Sequence, residues 1–348
     1  MIQKIRLTNI RCFSDQSYDF SPGVNLIVGR NGSGKTTVLE AASLFSYGKF
    51  CSVERDSFAI KTGTDVGRVE IEAIVKGQKK ELEASITPGE KILKINRKRV
   101  PNSKAVGFLK TVFFNPETID LVSGPPQVRR RELDLTVAQI DHRYVLKLLE
   151  FRRVLRQRNN LLRQIATRKS GEEELGFWDK EFCILALQIN LARKKLLSEI
   201  NKSIVGVHNL LVEKERELNL RYIDSADYGK LSENLAAVLE RDIRLGLTSI
   251  GPHRDDFEFY EHDFALRDGG SRGEQRMAAI AFKVETKRYL TENEDEPILI
   301  LDDVFSELDE KRRESVAGIF GQGQTIISAT DMRVIPKIIL AKAKIIKL

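Results

Sequence analysis

The residues best suited to chemistry lie in a glycine-rich loop near the start of the chain. Gly29-Arg30-Asn31-Gly32-Ser33-Gly34-Lys35-Thr36-Thr37 has the spacing of a phosphate-binding loop and follows a buried-strand pattern ending at Val28. Its backbone N–H groups would surround phosphate oxygens, Lys35 would add a positive charge, and Thr36 would offer its hydroxyl to Mg²⁺. A simple glycine turn between a strand and a helix would not require Lys35 and Thr36. The loop therefore predicts a site for a nucleotide's phosphates.

Two acids near the other end of the chain could complete this site. Asp302 and Asp303 follow the apolar run Ile298 to Leu301, which is typical of a fully buried parallel strand. Asp302 would hold Mg²⁺ directly or through water, and Asp303 would act as the general base for the attacking water. The alternative is an acidic loop that begins the next helix, in which Ser306 and Asp309 resemble a capping box.

A third motif, Ser271-Arg272-Gly273-Glu274-Gln275, opens a helical pattern but contains no obvious catalytic group. The first amides of a helix lack partners within that helix and attract anions. Since the phosphate-binding loop already surrounds the phosphates from its own side, we interpret this helix as facing a γ-phosphate held by a second copy of the chain.

The elements that must position these motifs divide the chain into two predicted parts. Strand patterns dominate the beginning of the chain, including a hairpin around Gly77, and they return after Gly251. Between about Gln127 and Leu218 the spacing is almost entirely helical and predicts two long helices that turn near Gly171. We therefore expect an α/β fold with a discontinuous head, residues 1–120 and 245–348, and an inserted helical lobe, residues 121–244.

Composition favours an anionic partner. The chain has 348 residues, with 57 Lys and Arg against 50 Asp and Glu, a net charge of +7. Three widely spaced cysteines form no C-x-x-C pair, which predicts a reducing, cytoplasmic setting without a zinc ribbon or redox dithiol. No signal peptide or apolar run long enough to span a membrane is expected.

A basic stretch from Lys147 to Lys169 carries eight basic residues against one acid, and it predicts a face that contacts DNA phosphates without reading sequence. The candidate contacts are Arg152, Arg153, Arg156, Arg158 and Arg163. A solvated helix face is the plain alternative, and basic residues of the strand-rich part, Lys94, Arg97, Lys98 and Arg99, compete for the role. Arg129–Arg131 fits DNA, the nucleotide pocket or a helix start. His253, in GPHRDD, is expected to be structural rather than a metal ligand.

Together these motifs resemble the ABC-type ATPase heads of the SMC and Rad50 type and, among them, the RecF family of bacterial recombination and gap repair. The resembling pieces occur in the family's order over nearly the whole chain: LTNIRCF, SPGVNLIVGRNGSGKT, FNPETIDLVSGPPQVRRRELD, SIGPHRDDFEF, GGSRGEQR and ILILDDVFSELDEKRR. GPHRDD is the most diagnostic of them.

The resemblance implies an ATP-dependent homodimer with two ATP molecules, each with Mg²⁺, at its interface. Lys35 and Thr36 would bind phosphate and Mg²⁺, Asp302 resembles the Walker B acid, and Asp303 stands where many relatives have a catalytic Glu. The residues implied to reach nucleotide from other segments are Arg11, Ser271, Gly273, Gln275 and Asp309, of which Ser271 and Gly273 would act on the partner's ATP. Glu274 departs from the usual neutral residue. The switch histidine of transporters is absent, and the segment IISATD offers Ser328, Thr330 and Asp331 instead.

The resemblance also implies partners, and the missing switch histidine predicts that hydrolysis is slow. We expect slow ATP hydrolysis, weak DNA-dependent ATPase activity, and binding to double-stranded DNA and to single-strand–double-strand junctions at gaps, together with RecR, RecO and RecA. Three other classes of protein are the alternatives. A Rad50-like tether would need a longer helical insertion and a zinc hook, a transporter cassette would need the switch histidine, and an overcoming-lysogenization-type nuclease would need a further acidic cluster.

Overall fold

The computed structural model describes residues 1–291, 296–319 and 323–348, which form two compact units. Unit 1 contains residues 1–119, 206–216 and 276–348, and unit 2 contains residues 120–205 and 217–275. The strands are β1 (Ile2–Ile10), β2 (Phe13–Asp19), β3 (Val24–Val28), β4 (Gly67–Val75), β5 (Gln78–Ile86), β6 (Lys91–Ile95), β7 (Lys98–Val100), β8 (Thr111–Phe114), β9 (Leu218–Ile223), β10 (Asp256–Glu261), β11 (Phe264–Ala265), β12 (Ile298–Asp302), β13 (Thr325–Ala329) and β14 (Lys344–Lys347). The helices are α1 (Lys35–Tyr47), α2 (Asn102–Ala105), α3 (Asp120–Ser123), α4 (Pro126–Ala138), α5 (His142–Ala166), α6 (Leu175–Asn201), α7 (Ile204–Val212), α8 (Leu231–Ala237), α9 (Leu239–Leu245), α10 (Leu266–Gly269), α11 (Arg272–Leu290), α12 (Glu310–Ile319) and α13 (Lys337–Leu340).

Unit 1 is built from two sheets with α1 in contact with both. A six-stranded sheet has the order β2-β1-β4-β5-β6-β7, and all of its pairs are antiparallel. A five-stranded parallel sheet has the order β14-β3-β13-β12-β8. Helix α1 buries apolar residues on several sides, including Val38, Leu39 and Phe45, because it packs against strands of both sheets.

The parallel sheet places the ends of three strands side by side. Strand β12 is buried along its whole length, as its apolar run predicts, and it pairs with β8 and β13. Strand β13 pairs in turn with β3, the strand that precedes the glycine-rich loop. Since parallel strands end at the same edge, the glycine-rich loop, Asp302 and the end of β13 meet there.

Unit 2 is centred on a helical hairpin. Helices α5 and α6 have 25 and 27 residues, and they pack with Phe151 against Phe182 at a ring-centroid distance of 5.3 Å. The turn between them contains Gly171, as the sequence predicts. The same unit contains a three-stranded antiparallel sheet of order β11-β10-β9.

The compact units differ from the predicted domain boundaries in two places. Residues 245–275, predicted to belong to the head, lie in unit 2 because β10 pairs with β9 rather than with a strand of unit 1. Strand β9 itself interrupts the segment predicted to be helical, and residues 206–216 belong to unit 1. A strand pattern does not identify the sheet that it joins. Within the described ranges, no helix is long and apolar enough to cross a membrane.

Candidate nucleotide site

The glycine-rich loop runs from the end of β3 to the start of α1, and two of its positions have backbone conformations that favour glycine. Gly34 has φ +98°, and a Cβ atom there would lie 2.5 Å from the ring of Phe13 and 2.7 Å from Cys12 Sγ. Gly32 also has a positive φ, +82°. Ser33 N donates to Arg30 O at 3.2 Å, which closes the turn. The loop can therefore bring its backbone close to a bound anion.

Lys35 lies inside this loop. Its ammonium group donates to the carbonyl oxygens of Gly29, at 2.8 Å, and Arg30, at 3.0 Å, and only 7% of the residue is exposed. The position fixes a positive charge beside the first amides of α1, where the helix dipole also attracts negative charge. This is the environment predicted for phosphate oxygens.

Asp302 is held by two hydroxyl groups at the end of β12. Thr36 Oγ1 donates to its Oδ2 at 2.7 Å, and Ser328 Oγ donates to its Oδ1 at 2.6 Å. The residue is 8% exposed, and Ser328 is its register partner on β13. Thr36 and Asp302 thus place two hard oxygen donors side by side, a donor set that suits Mg²⁺.

Asp303, the predicted general base, has an unusual backbone conformation and a partly buried side chain. Its φ is +51°, which is unusual for a residue other than glycine, and Ser306 Oγ donates to its carbonyl oxygen at 2.7 Å. The buried Oδ1 has no hydrogen-bond partner among the described residues, and burial raises the pKa of the carboxyl group. A carboxylate oxygen without a hydrogen-bond partner can accept a proton from a water molecule.

A pocket of about 450 Å³ in unit 1 joins most of these groups. Its lining residues are Arg11, Cys12, Asn31, Gly32, Gly34, Lys35, Thr36, Thr37, Pro116, Asp302 and Asp303. Gly29 and Arg30 are not among these lining residues, and their carbonyl oxygens accept hydrogen bonds from Lys35. The structure therefore brings the glycine-rich loop, the predicted metal ligands and the predicted base to one cavity.

Arg11 reaches this pocket because a buried acid, not predicted from the sequence, holds it there. Arg11 Nη2 donates to Glu40 Oε2 and to Ser52 Oγ, both at 2.6 Å, and Nη1 donates to Thr37 Oγ1 at 3.3 Å. Glu40 is 1% exposed and also accepts from Ser52 N at 2.5 Å. The available signal was an acid within the apolar run Val38 to Ala42, since a buried carboxylate requires a cationic partner.

The third sequence motif, Ser271 to Gln275, which we call the signature segment, lies in unit 2 and begins α11 with a capping box. Ser271 N and Ser271 Oγ both donate to Glu274 Oε2, at 2.9 and 2.8 Å, and Glu274 N donates to Ser271 Oγ at 3.3 Å. Gln275 is buried and donates from Nε2 to Leu266 O at 2.8 Å, so it fixes the preceding segment. Gly273 lies in the first turn, and Ser271 is exposed.

Asp309 is exposed and caps α12, because its Oδ1 accepts from Arg312 N at 2.9 Å. The proposed alternative of a capping box between Ser306 and Asp309 is wrong, since Ser306 bonds to Asp303 instead. Asn115 pairs with Thr118 in a local turn and lines a small cavity beside Asp303.

The basic face of α5 loses one predicted member. Arg158 is fully buried, and it bonds to Asp179 Oδ1 at 2.7 Å and Asp242 Oδ2 at 3.0 Å, so its prediction as a DNA contact is wrong. Arg152, Arg153, Arg156 and Arg163 are exposed, with Arg153 paired to Glu150 and Arg163 to Asn160.

The competing basic residues are mostly paired with acids. Lys94, Arg97 and Arg99 form ion pairs with Glu83, Glu81 and Glu90. Arg129 is buried and forms a two-bond pair with Asp256 at 2.7 Å, which makes it structural.

The GPHRDD segment is a structural node of unit 2. His253 Nε2 lies 3.0 Å from Thr248 O, its ring contacts Phe151 and Phe182, and burial lowers its pKa to about 4. Asp255 accepts hydrogen bonds from Asn190, Tyr222, Ser225 and Tyr228. No cluster of three metal-binding side chains occurs among the residues the structure describes.

Comparisons with known proteins agree with this geometry. Residues 1–338 match the family model of the RecF/RecN/SMC N-terminal domain. The chain is 33% identical to the DNA replication and repair protein RecF of Lachnoclostridium phytofermentans, over 95% of this chain and 93% of that protein. It is 32% identical to RecF of Geobacillus kaustophilus, over 99% and 96% respectively.

Solved structures give the same result. The recombination mediator protein RecF-ATP of the RecFOR pathway superposes with a TM-score of 0.88 and 29% identity, over 95% of this chain and 92% of that one. An Smc head bound to the C-terminal winged-helix domain of ScpA, with a TM-score of 0.59 and 16% identity over 99% and 93% of the two chains, shares the fold. The chain therefore belongs to the RecF family of DNA replication and repair proteins.

Proposed function

We propose that this chain binds and slowly hydrolyses ATP, and that ATP acts as a switch for dimerisation on DNA during recombinational repair. The observation that carries the proposal is that Lys35, Thr36, Asp302 and Asp303 line one pocket. The RecF-ATP relative supports ATP as the nucleotide.

Each residue of the pocket has its own role in the proposed reaction. The loop from Gly29 to Thr37 surrounds the phosphates, and Lys35 neutralises part of their charge. Thr36 and Asp302 would hold Mg²⁺, which supplies charge neutralisation on the phosphates when bound. Asp303 accepts the proton of the attacking water. Arg11, held by Glu40, contacts the nucleotide from the pocket wall.

Dimerisation completes the site. Ser271 and Gly273 at the start of α11 contact the partner's ATP, while the buried Gln275 positions them. Asp309 lies at the exposed start of α12 and crosses the interface. Support comes from the exposure of Ser271 and Asp309 and from the family's signature sequence. ATP would thus join two copies by contacting both.

The DNA contact is assigned to the exposed face of α5 with Arg152, Arg153, Arg156 and Arg163. Arg152 and Arg156 have no ion pair within the described residues, so their charges remain available to phosphates. The proposed substrates are duplex DNA and single-strand–double-strand junctions at gaps, where the dimer works with RecR and RecO to load RecA. This part rests on family membership and on the RecFOR pathway named for the solved relatives.

Sedimentation tests the proposal directly. The parental chain and Lys35→Ala are compared without nucleotide, with ADP and with a non-cleavable ATP analogue, each with and without gapped duplex DNA. The parental chain should dimerise only with the ATP analogue, and Lys35→Ala should remain monomeric. Lys342→Ala, an exposed lysine outside the pocket, is the matched control. A parental chain that stays monomeric at saturating analogue and high protein concentration would refute the switch.

A further inference from the structure

We propose that Ser328 is a positioning residue that sets the geometry of both Asp302 and Asp303. The inference rests on the proposed ATPase function and adds a residue from a third strand to it. Ser328 lies on β13, opposite Asp302 in the register of the parallel sheet, and is 1% exposed. In the sequence, Ser328 lies in the segment where transporter ATPases carry a switch histidine.

One hydroxyl group serves both acids. Ser328 Oγ donates its proton to Asp302 Oδ1 at 2.6 Å and accepts from Asp303 N at 3.1 Å. A serine hydroxyl has one donor and two acceptor positions, so its only proton is committed to Asp302. Ser328 therefore links the side chain of one acid to the backbone of the next.

The bond to Asp302 fixes the plane of its carboxylate. With Oδ1 bonded to Ser328, Oδ2 remains beside Thr36 Oγ1, and these two oxygens are the pair that would hold Mg²⁺. Without Ser328, the carboxylate could rotate about its Cβ–Cγ bond and leave Thr36, because this sp² torsion is broad.

The bond to Asp303 stabilises a strained backbone. Asp303 has φ +51°, a conformation that costs about 1–3 kcal/mol for a residue other than glycine. Ser328 holds its N–H and Ser306 holds its C=O, at 3.1 and 2.7 Å. This conformation delivers the Asp303 side chain to the nucleotide pocket. Ser328 therefore controls where the proposed base points.

A direct contact between Ser328 and a γ-phosphate is the competing role. Ser328 is buried, its proton is committed to Asp302, and it is not among the residues that line the pocket. A phosphate contact would also predict a different kinetic result, since its loss would weaken ATP binding as well as catalysis.

The test compares Ser328→Ala with Ser328→Thr, which keeps the hydroxyl, and with Ser43→Ala. Ser43 is also fully buried and donates to Glu40 O at 2.9 Å, but it does not line the pocket, so it controls for loss of a buried serine hydroxyl. ATP affinity is measured with a fluorescent ATP analogue, and kcat and KM by phosphate release. We expect Ser328→Ala to lower kcat about 10- to 100-fold with analogue affinity changed less than about threefold. Ser328→Thr should restore most of kcat, and Ser43→Ala should match the parent.

Two results would overturn the positioning role alone. One is a parental kcat for Ser328→Ala in a chain that hydrolyses ATP. The other is a loss of analogue affinity as large as the loss of kcat, which indicates phosphate contact. A folded parental chain that does not bind the analogue would instead overturn the proposed function, and the role of Ser328 with it.

Discussion

Replacement of Arg158 by Met should lower the free energy of unfolding of unit 2, because it leaves two acids without their cationic partner. The Arg158 guanidinium lies 2.7 Å from Asp179 Oδ1 and 3.0 Å from Asp242 Oδ2, and both Arg158 and Asp242 are 0% exposed. Removal of one member of a buried ion pair typically costs about 3–5 kcal/mol, since the remaining charge is buried without compensation. We expect a loss of that size here.

The assay uses the chain's single tryptophan, Trp178, which immediately precedes Asp179 in α6. Urea unfolding followed by its fluorescence therefore reports on the hairpin that Arg158 stabilises. With a slope of about 2 kcal/mol per molar urea, the midpoint should fall by roughly 2 M. Arg156→Met, two residues away and exposed, is the matched control and should change stability by no more than about 0.5 kcal/mol.

The same two variants separate stability from DNA binding. Arg156→Met should weaken binding to duplex DNA of any sequence. The slope of log affinity against log salt concentration should become shallower by about the value of one phosphate contact. An unchanged urea midpoint for Arg158→Met would refute the buried ion pair as described. A parental salt dependence for Arg156→Met would remove this residue from the proposed DNA-binding face.

Four further predictions concern the nucleotide. Asp303→Asn should lower single-turnover ATP hydrolysis about 10²- to 10⁴-fold and trap the ATP-bound dimer in sedimentation, whereas a parental rate would contradict its role as base. A base accepts a proton only when it is ionised, and burial raises the pKa of Asp303. As the pH is lowered, the parental rate should therefore begin to fall at a higher pH than an ordinary Asp would give. The Asn variant should not show this fall in rate. Glu40→Gln should weaken binding of a fluorescent ATP analogue about three- to tenfold by releasing Arg11, and no change would show that the pair does not serve the nucleotide. Glu274→Gln should strengthen dimerisation with a non-cleavable ATP analogue about twofold to fivefold, and weaker dimerisation would refute competition between Glu274 and phosphate.

The local parts of the fold could be predicted from the sequence. The hairpin around Gly77 forms between β4 and β5, with Val75 opposite Gln78. Lys76 and Gly77 both have positive φ, as a two-residue hairpin turn requires. The apolar run of β12 and the glycine spacing before α1 were equally informative, because each depends on neighbours in the sequence.

Long-range partners were beyond the reach of these patterns. Arg158 belongs to a basic run, and its burial depends on Asp242, 84 residues away. Strand β10 has an ordinary strand pattern, but only tertiary pairing with β9 assigns it to unit 2. Glu40 lies 29 residues from Arg11, so the spacing of charged residues could not connect them.

Glu274 affects the proposed contact between the start of α11 and a phosphate of the partner's ATP. Its carboxylate already occupies the position where the Ser271 amide and hydroxyl would meet an anion. Two negative groups at one helix start repel each other, so phosphate can bind Ser271 only if Glu274 moves away. The contact then exchanges one charge-assisted pair for another, and its net contribution is smaller than the gross strength of the new bonds. In the proposed dimer, several such exchanges would have to add up to hold the two copies together, so we predict that loss of the γ-phosphate releases it.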